Sequence, residues 1–267
     1  AARLRAAARV DARLMPAFAL LLEYDGAPFV GWQRQPQGLS IQQVLEEAAA
    51  HLNGGVAPVV GAAGRTDAGV HAEGQVAQVT IGAELPAERV REALNFHMRP
   101  HPVVVLGAAP VAEGWSARFD ATGRAYRYRI LNRHAKPALE EGRVWHVPQR
   151  LDAEAMHRAA QRLLGKHDFS AYRAASCQAK TALRTLDRLD VARLGDEVVI
   201  TAEARSFLHH QVRNMVGTLA EVGAGKRPVS WPRAVLDGRD RGRAGQTAPP
   251  EGLVLTGVRY GEAIDWR

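Results

Sequence analysis

The order of strand and helix patterns limits what this chain can fold into more than any single motif does. The apolar run Ala17–Tyr24 predicts a buried strand, and Ser40 and Gln43 form a capping box before apolar residues at helical spacing. Two strands, a helix and a last strand are then predicted at 57–62, 75–81, 86–95 and 103–108. This part of the chain is therefore predicted to run β-α-β-β-α-β.

The rest of the chain repeats the same order. Alternation over 124–131 predicts a strand, Asp152 is placed to begin a helix, and apolar residues at helical spacing predict another helix from about 208 to 222. The remaining strands are predicted at 185–191, 197–204 and 253–260. A second β-α-β-β-α-β unit follows from this order.

Two such units predict an α+β protein made of two ferredoxin-like halves, each with helices on one face of an antiparallel sheet. We expect the halves to cover 17–112 and 113–267. Their sheets are expected to sit against each other, because no low-complexity linker separates them. Residues 1–16 are rich in alanine and arginine and lack the apolar core of a secretory signal. We interpret them as a disordered basic extension.

Composition narrows the class of protein. Lysine and arginine number 35 against 28 acidic residues, a net charge of +7 that favours polyanionic partners. A merely basic soluble protein fits this charge equally well. The single cysteine, Cys177, excludes an internal disulfide and multi-cysteine metal sites, and it fits the reducing cytoplasm. The longest apolar runs are too short to cross a bilayer, so we expect no membrane contact.

A glycine-rich loop at 61–71 lies between two predicted strands. Its glycines permit positive φ and close approach to another molecule, and it carries Arg65, Thr66 and Asp67. A tight turn in which Asp67 caps a backbone amide explains the pattern as well. The loop lacks the lysine of a nucleotide-binding P-loop, and no helical pattern follows it. We therefore expect no nucleotide cofactor.

The predicted strand at 124–131 combines aromatic and basic side chains. With a period of two residues, Tyr126 and Tyr128 share one face, and Arg127 and Arg129 take the other. An aromatic platform for an RNA base, with arginines nearby for phosphate, fits this pattern. A half-buried strand with an exposed basic side fits it too.

A third pattern, at 207–214, places two histidines and an arginine at the start of a predicted helix. Adjacent His209 and His210 point about 100° apart on a helix, so we do not expect them to bind one metal ion together. Arg213 lies beside the apolar stripe, where it can pair with a carboxylate or face solvent. A metal-dependent hydrolase built on the chain's histidines fits no ligand spacing, and we expect no metal.

Together, these three patterns resemble the tRNA pseudouridine synthase A family, over about 18–260. The resemblance extends to Glu-Tyr-Asp-Gly at 23–26, Gly-Trp-Gln-Arg-Gln at 31–35 and Glu-Gly-Leu at 251–253. Its most specific segment is the nine residues at 64–72. The resemblance implies modification of uridines 38 to 40 in the tRNA anticodon stem-loop by a homodimer whose subunits share one tRNA. Isomerising uridine consumes no electrons and no phosphate, so no cofactor is expected.

By motif, the resemblance also implies roles for single residues. Asp67 matches the catalytic aspartate, and Tyr126 matches the residue placed against the target base. Arg213 matches the arginine that pairs with the aspartate. Arg65 matches a residue that flips the base and holds the RNA, and Leu253 matches an apolar residue beside the base.

Two segments depart from the family pattern. Residues 95–101 stand where a leucine-rich stretch ending in Pro-x-Asp is expected, and Ser116 occupies a place often held by histidine. Both bear on local RNA contacts and leave the candidate catalytic residues intact. A non-catalytic RNA-binding protein on the same fold is the alternative, but it gives the Asp67 loop no role.

Overall fold

The structure, a computed structural model, describes residues 16–267, so the expected basic extension lies outside the described residues except for Pro16. Within that range, five helices accompany one mostly antiparallel sheet. The strands are β1 (Ala17–Tyr24), β2 (Gly61–Ala62), β3 (His71–Thr80), β4 (Val103–Val111), β5 (Ala121–Leu131), β6 (Trp145–His146), β7 (Gly165–Asp168), β8 (Leu183–Leu194), β9 (Glu197–Ala204) and β10 (Leu253–Tyr260). The helices are α1 (Ile41–Ala50), α2 (Ala87–His97), α3 (Ala153–Ala160), α4 (Gln211–Gly223) and α5 (Trp231–Gly238). The predicted α+β class is confirmed.

The strands lie side by side in the order β4-β1-β3-β10-β5-β9-β8-β7, with β2 paired to β3 and β6 paired to β5. Neighbouring strands are antiparallel except for β3 with β10 and β5 with β6. The expected sheets meet edge to edge and continue as one, rather than forming two separate sheets. The junction is the parallel pairing of β10 with β3, where Val254 lies opposite His71 and Leu255 opposite Ala72.

Several element boundaries differ from the predicted ones near the glycine-rich loop and α4. The strand predicted at 57–62 shortens to Gly61–Ala62, and the strand predicted to begin at residue 75 begins at His71. The helix predicted from residue 208 begins only at Gln211. The reason is His210, whose φ of 61° is left-handed and cannot belong to a helical turn.

The predicted helix caps are present at α1 and α3. Ser40 Oγ accepts a hydrogen bond from the Gln43 amide at 3.1 Å, and Asp152 Oδ1 accepts one from the Ala155 amide at 2.9 Å. The reciprocal half of the predicted capping box is wrong, because the Gln43 side chain donates to Glu47 instead. Between residues 16 and 267, no helix has the length and apolar character needed to cross a membrane.

Alternation along β5 separates its two faces as predicted. Tyr126, Tyr128 and Ile130 are buried, with Ile130 and Tyr128 wholly inaccessible to solvent. Arg127 and Arg129 are only half-buried on the opposite face. The buried face of the sheet packs against the helices in one continuous apolar core. The period of two residues therefore puts Tyr126 on the helical side of the sheet.

Candidate active site

The glycine-rich loop is tied to rigid elements that are distant in sequence. The side-chain amide of Gln75 donates to the Gly64 carbonyl at 2.6 Å, and the Tyr24 hydroxyl lies 2.8 Å from Thr66 Oγ1. The backbone amide of Trp32 donates to the Thr66 carbonyl at 3.0 Å. These bonds hold the residues on either side of Arg65 and leave Asp67 on a fixed backbone.

Two glycines in the flanking motifs make room for this loop. A Cβ on Gly26 would lie 2.0 Å from the Val70 carbonyl oxygen, which no real side chain tolerates. Gly31 has φ of +104°, and a Cβ there would lie 2.8 Å from the Thr66 carbonyl oxygen. The two motifs that contain these glycines therefore act through close backbone contact.

Three cationic or titratable side chains converge on Asp67. Arg213 Nη1 lies 3.0 Å from Asp67 Oδ2. His209 Nε2 lies 3.2 Å from Oδ1, and His210 Nε2 lies 3.4 Å from Oδ2. The Asp67 side chain is 19% exposed, so the carboxylate faces a partly open cleft. Its position suits contact with a bound molecule.

The two histidines converge because they precede α4. The prediction that they diverge assumed helical backbone at both positions, and it is wrong. With His210 in the left-handed region, their ring centroids are 4.0 Å apart. Helical periodicity therefore does not predict the two histidines as neighbours of Asp67. The only signal in the sequence was the pair itself, next to Arg213.

The side chains around Asp67 lower its pKa and so keep its carboxyl group ionised. Burial raises the pKa of Asp67, but the hydrogen bond from His209, the charge of His210 and the hydrogen bond from Arg213 lower it below its ordinary value. The hydrogen bond to Asp67 raises the pKa of His209. Burial lowers the pKa of His210. Asp67 is therefore an anion at neutral pH.

Arg213 is oriented by a second hydrogen bond. Its Nε donates to the Ala248 carbonyl at 2.8 Å, while the Ala248 amide donates to the Arg213 carbonyl at 3.1 Å. Because the guanidinium is planar, fixing Nε also fixes the direction of Nη1. Arg213 thus meets Asp67 in one orientation.

The atoms that could bind a metal ion in Asp67, His209 and His210 all lie within 4.8 Å of one another. The distances suit a metal, but Arg213 places a permanent positive charge 3.0 Å from one of the carboxylate oxygens. A divalent ion would meet strong repulsion from this guanidinium. The donor set therefore fits an ion pair better than a metal centre.

Tyr126 lies beside the same loop. Its ring makes an edge-to-face contact with Phe207 at a centroid distance of 5.3 Å. A Cβ on Gly64 would lie 3.7 Å from the Tyr126 hydroxyl. Burial raises the pKa of Tyr126, and nearby Tyr24 and Asp67 raise it further. The phenol is therefore protonated at neutral pH.

Arg65 and Leu253 occupy different environments around the loop. Arg65 is exposed and has no ion pair with any residue from 16 to 267. Leu253 is buried at the start of β10, in register with Tyr128. The turn before it packs on the loop, since a Cβ on Gly69 would lie 3.1 Å from Pro250 Cγ.

Arg127 and Arg129 lie on the face of β5 opposite Tyr126. Arg127 pairs with Glu73, and Arg129 pairs with Glu140 at 2.7 Å and Glu197 at 2.6 Å. These ion pairs lie on the face of the sheet opposite the tyrosines. The expected placement of Arg127 and Arg129 near an aromatic platform at Tyr126 is therefore wrong.

Comparison with known proteins places this geometry in a family. Residues 21–120 and 159–261 match the family described as tRNA pseudouridine synthase. A tRNA pseudouridine synthase A of Acidiphilium cryptum is 64% identical over 247 residues, which cover 92% of this chain and 97% of that protein. Proteins of the same name from Paramagnetospirillum magneticum and Methylobacterium nodulans are 60% and 57% identical, covering 92% and 93% of this chain and 96% and 98% of their own lengths.

Proposed function

Because the chain belongs to the tRNA pseudouridine synthase family, we propose that it isomerises uridine to pseudouridine at positions 38, 39 and 40 of the tRNA anticodon stem-loop. The observation that carries this proposal is the ionised Asp67, held by Arg213 at 3.0 Å in a loop beside the buried Tyr126. The two ranges of the family match include Asp67 and Arg213, and Tyr126 lies between them.

The reaction breaks the bond between N1 and C1′, turns the uracil and joins C5 to C1′. The proton on C5 then leaves, and N1 gains one, so no electrons enter or leave overall. A carboxylate can act as a nucleophile at C1′ or C6, or as a base on the 2′ proton. All three routes need Asp67 ionised, and none needs a cofactor.

Arg213 is proposed to keep this carboxylate charged when RNA covers the cleft. Excluding water from a carboxylate favours its neutral form, and a neighbouring cation opposes this change. The 12% exposure of the Arg213 side chain supports the role, since the ion pair already lies largely outside bulk water. Its bond to Ala248 keeps it in place as the ligand enters.

Tyr126 is proposed to stack on the target uracil and to relay the C5 proton. Its raised pKa disfavours a free phenolate, so the hydroxyl must accept one proton as it gives up its own. The target base has to leave its stack to reach this ring. We propose that exposed Arg65 holds the RNA from which the base has flipped, and that Leu253 packs beside the base.

The finer organisation is proposed to be two ferredoxin-like halves, 17–112 and 113–267. In residues 17–112 the strand order is β4-β1-β3, with β2 paired to β3, and in residues 113–267 it includes β10-β5-β9-β8. In both orders the last strand lies beside the first, followed by the third and the second. Asp67 belongs to the first half and Arg213 to the second. We further propose a cytoplasmic homodimer whose subunits share one tRNA, as the family resemblance implies.

The test is tritium release from C5-labelled uridine in tRNA. The parent protein is expected to release tritium. Asp67→Ala is expected to bind the tRNA but to release no tritium. A non-catalytic RNA-binding protein would give tRNA binding without release from the parent as well. Release that disappears in excess chelator would favour the metal-dependent alternative and count against this proposal.

A further inference from the structure

An exposed aromatic residue between β4 and β5 has no role in the site described so far. Phe119 is 75% exposed, and the Arg118 guanidinium carbon lies 5.4 Å from its ring centroid. A ring left in water forgoes the free energy of burial, while an arginine close to it provides a cation–π contact. We call Arg118 and Phe119 the Phe119 patch.

The Phe119 patch lies beside the glycine-rich loop. Buried Arg124 donates from Nη2 to the Arg118 carbonyl and to the Ala63 carbonyl, each at 2.7 Å. The two carbonyl oxygens are therefore within twice that distance of each other. Ala63 is two residues before Arg65, so the patch borders the segment that leads to Asp67.

The backbone beneath the patch is rigid. Ala117 is wholly buried in a small cluster with Ala63 and Val76. The Tyr260 hydroxyl donates to the Ala117 carbonyl at 2.8 Å, and Asp120 accepts from the Ser116 amide, also at 2.8 Å. A rigid support means that little entropy is lost when a ligand contacts Phe119.

The surroundings of the patch favour an anionic ligand. Arg65, Arg118 and Arg205 are exposed, and within residues 16–267 none of the three has an ion pair. Arg205 lies near Arg118 because Arg124, which bonds the Arg118 carbonyl, also donates from Nη1 to the Arg205 carbonyl at 2.6 Å. Asp120 is the acidic group beside the ring, and its carboxylate is engaged by Ser116.

We propose that the Phe119 patch binds the tRNA substrate next to the target uridine, with the Phe119 ring stacked on a nucleobase and Arg118 contacting phosphate. An exposed aromatic ring next to unpaired arginines suits unstacked RNA, since every base has a face on which a ring can stack. This proposal rests on the proposed function. It adds a substrate contact outside the residues implied by the family resemblance.

The experiment measures binding of an unmodified tRNA transcript with uridines at 38 to 40, in an Asp67→Asn background that prevents turnover. Phe119→Ala is expected to raise Kd by about 5-fold or more, and Phe119→Trp is expected to restore tight binding. With Asp67 intact, Phe119→Ala should raise KM with little change in kcat, since stacking beside the target acts equally on bound substrate and transition state.

The matched control is Leu194→Ala, which removes another exposed apolar side chain, 63% exposed. Leu194 pairs with Glu197, which lies opposite Leu131, whereas Arg124 is at the other end of β5. Leu131 and Arg124 are seven residues apart along β5, which is a distance of about 23 Å. Leu194→Ala should leave Kd unchanged.

A second arm tests the arginine. Arg118→Ala should lower the salt dependence of tRNA binding by about one unit in the log–log slope. Exposed Arg150→Ala should not have this effect. Arg150 is two residues before Asp152, whose amide donates to the Gly223 carbonyl at the carboxyl end of α4. That end lies about 15 Å along the helix from Arg213, which pairs with Asp67. Each variant lowers the net charge by one, so the two variants are matched in charge.

The proposal is overturned if Phe119→Ala and Leu194→Ala bind equally well, or if Phe119→Trp binds as weakly as Phe119→Ala. In either case the parent would still convert tRNA uridines. A parent that converts no uridine overturns the proposed function instead, and this leaves the two failures distinct.

Discussion

At the scale of single residues, Asp67 is charged because three nitrogen-bearing side chains oppose the effect of burial. Two of them, His209 and Arg213, donate hydrogen bonds to its oxygens. Removing one donor leaves the desolvation in place, so the balance shifts toward the neutral acid.

The pKa of Asp67 is therefore expected to rise in Arg213→Met, as measured by carboxyl NMR titration. Because the pKa of the native carboxyl is depressed, its contribution to stability is present above the unfolded pKa and is lost as pH falls through the folded pKa. In Arg213→Met the folded pKa of Asp67 moves closer to the unfolded value, so the contribution of this carboxyl to the free energy of unfolding becomes smaller. Arg233→Met, which breaks an exposed pair with Asp237, should leave the Asp67 titration unchanged.

Tyr126→Phe is expected to bind tRNA like the parent and to lose most turnover, about 100-fold, because general acid–base groups contribute on this order. Single-turnover rates with saturating enzyme would measure the effect. Tyr172→Phe is the control, since Tyr172 is a buried tyrosine whose hydroxyl donates to the Pro232 carbonyl. Equal rates for Tyr126→Phe and the parent would remove the hydroxyl from the reaction.

The site residues differ in how far the sequence could predict them. Asp67, Tyr126 and Arg213 stood in recognisable motifs, and the structure groups the first and last at 3.0 Å. The convergence of His209 and His210 could not be predicted, because it depends on one left-handed residue that no helical periodicity reveals.

At the scale of elements, the loop depends on glycines in neighbouring motifs. Gly26→Ala is expected to destabilise the protein by about 1–3 kcal/mol, or more, because the new Cβ would overlap the Val70 carbonyl. Denaturant titration would measure the loss. Gly257→Ala provides the control, since no atom lies within 4 Å of its added Cβ. Equal stability of the two variants would contradict the close contact.

Element order could be predicted from periodicity, and most strands and helices lie where it placed them. The bounds of β2 and the start of β3 differ from the predicted ones because the glycine-rich segment has no period of its own. Strands β6 and β7 were also missed, since two and four residues are too few to establish alternation.

At the scale of the whole molecule, charge governs the approach of RNA. The net charge of +7 and the unpaired arginines near the site predict that tRNA affinity falls by at least about 10-fold between roughly 50 and 200 mM salt. Filter binding at several salt concentrations would measure the slope. A tRNA affinity that does not change with salt would contradict binding through contacts between arginine side chains and phosphates.

The joining of the sheets could not be predicted from local patterns. The pairing of β3 with β10 links residues about 180 positions apart and leaves no periodic trace in either strand. The halves were expected to sit against each other, and the structure shows which edges meet.

This junction also sets the order in which the molecule becomes competent during synthesis. Strand β10 lies between β3 and β5, yet the ribosome makes it after both of them. Until it emerges and inserts, β3 and β5 lack the strand that pairs with both of them. The sheet that supports the Asp67 loop and Tyr126 is thus complete only after the last strand has been made.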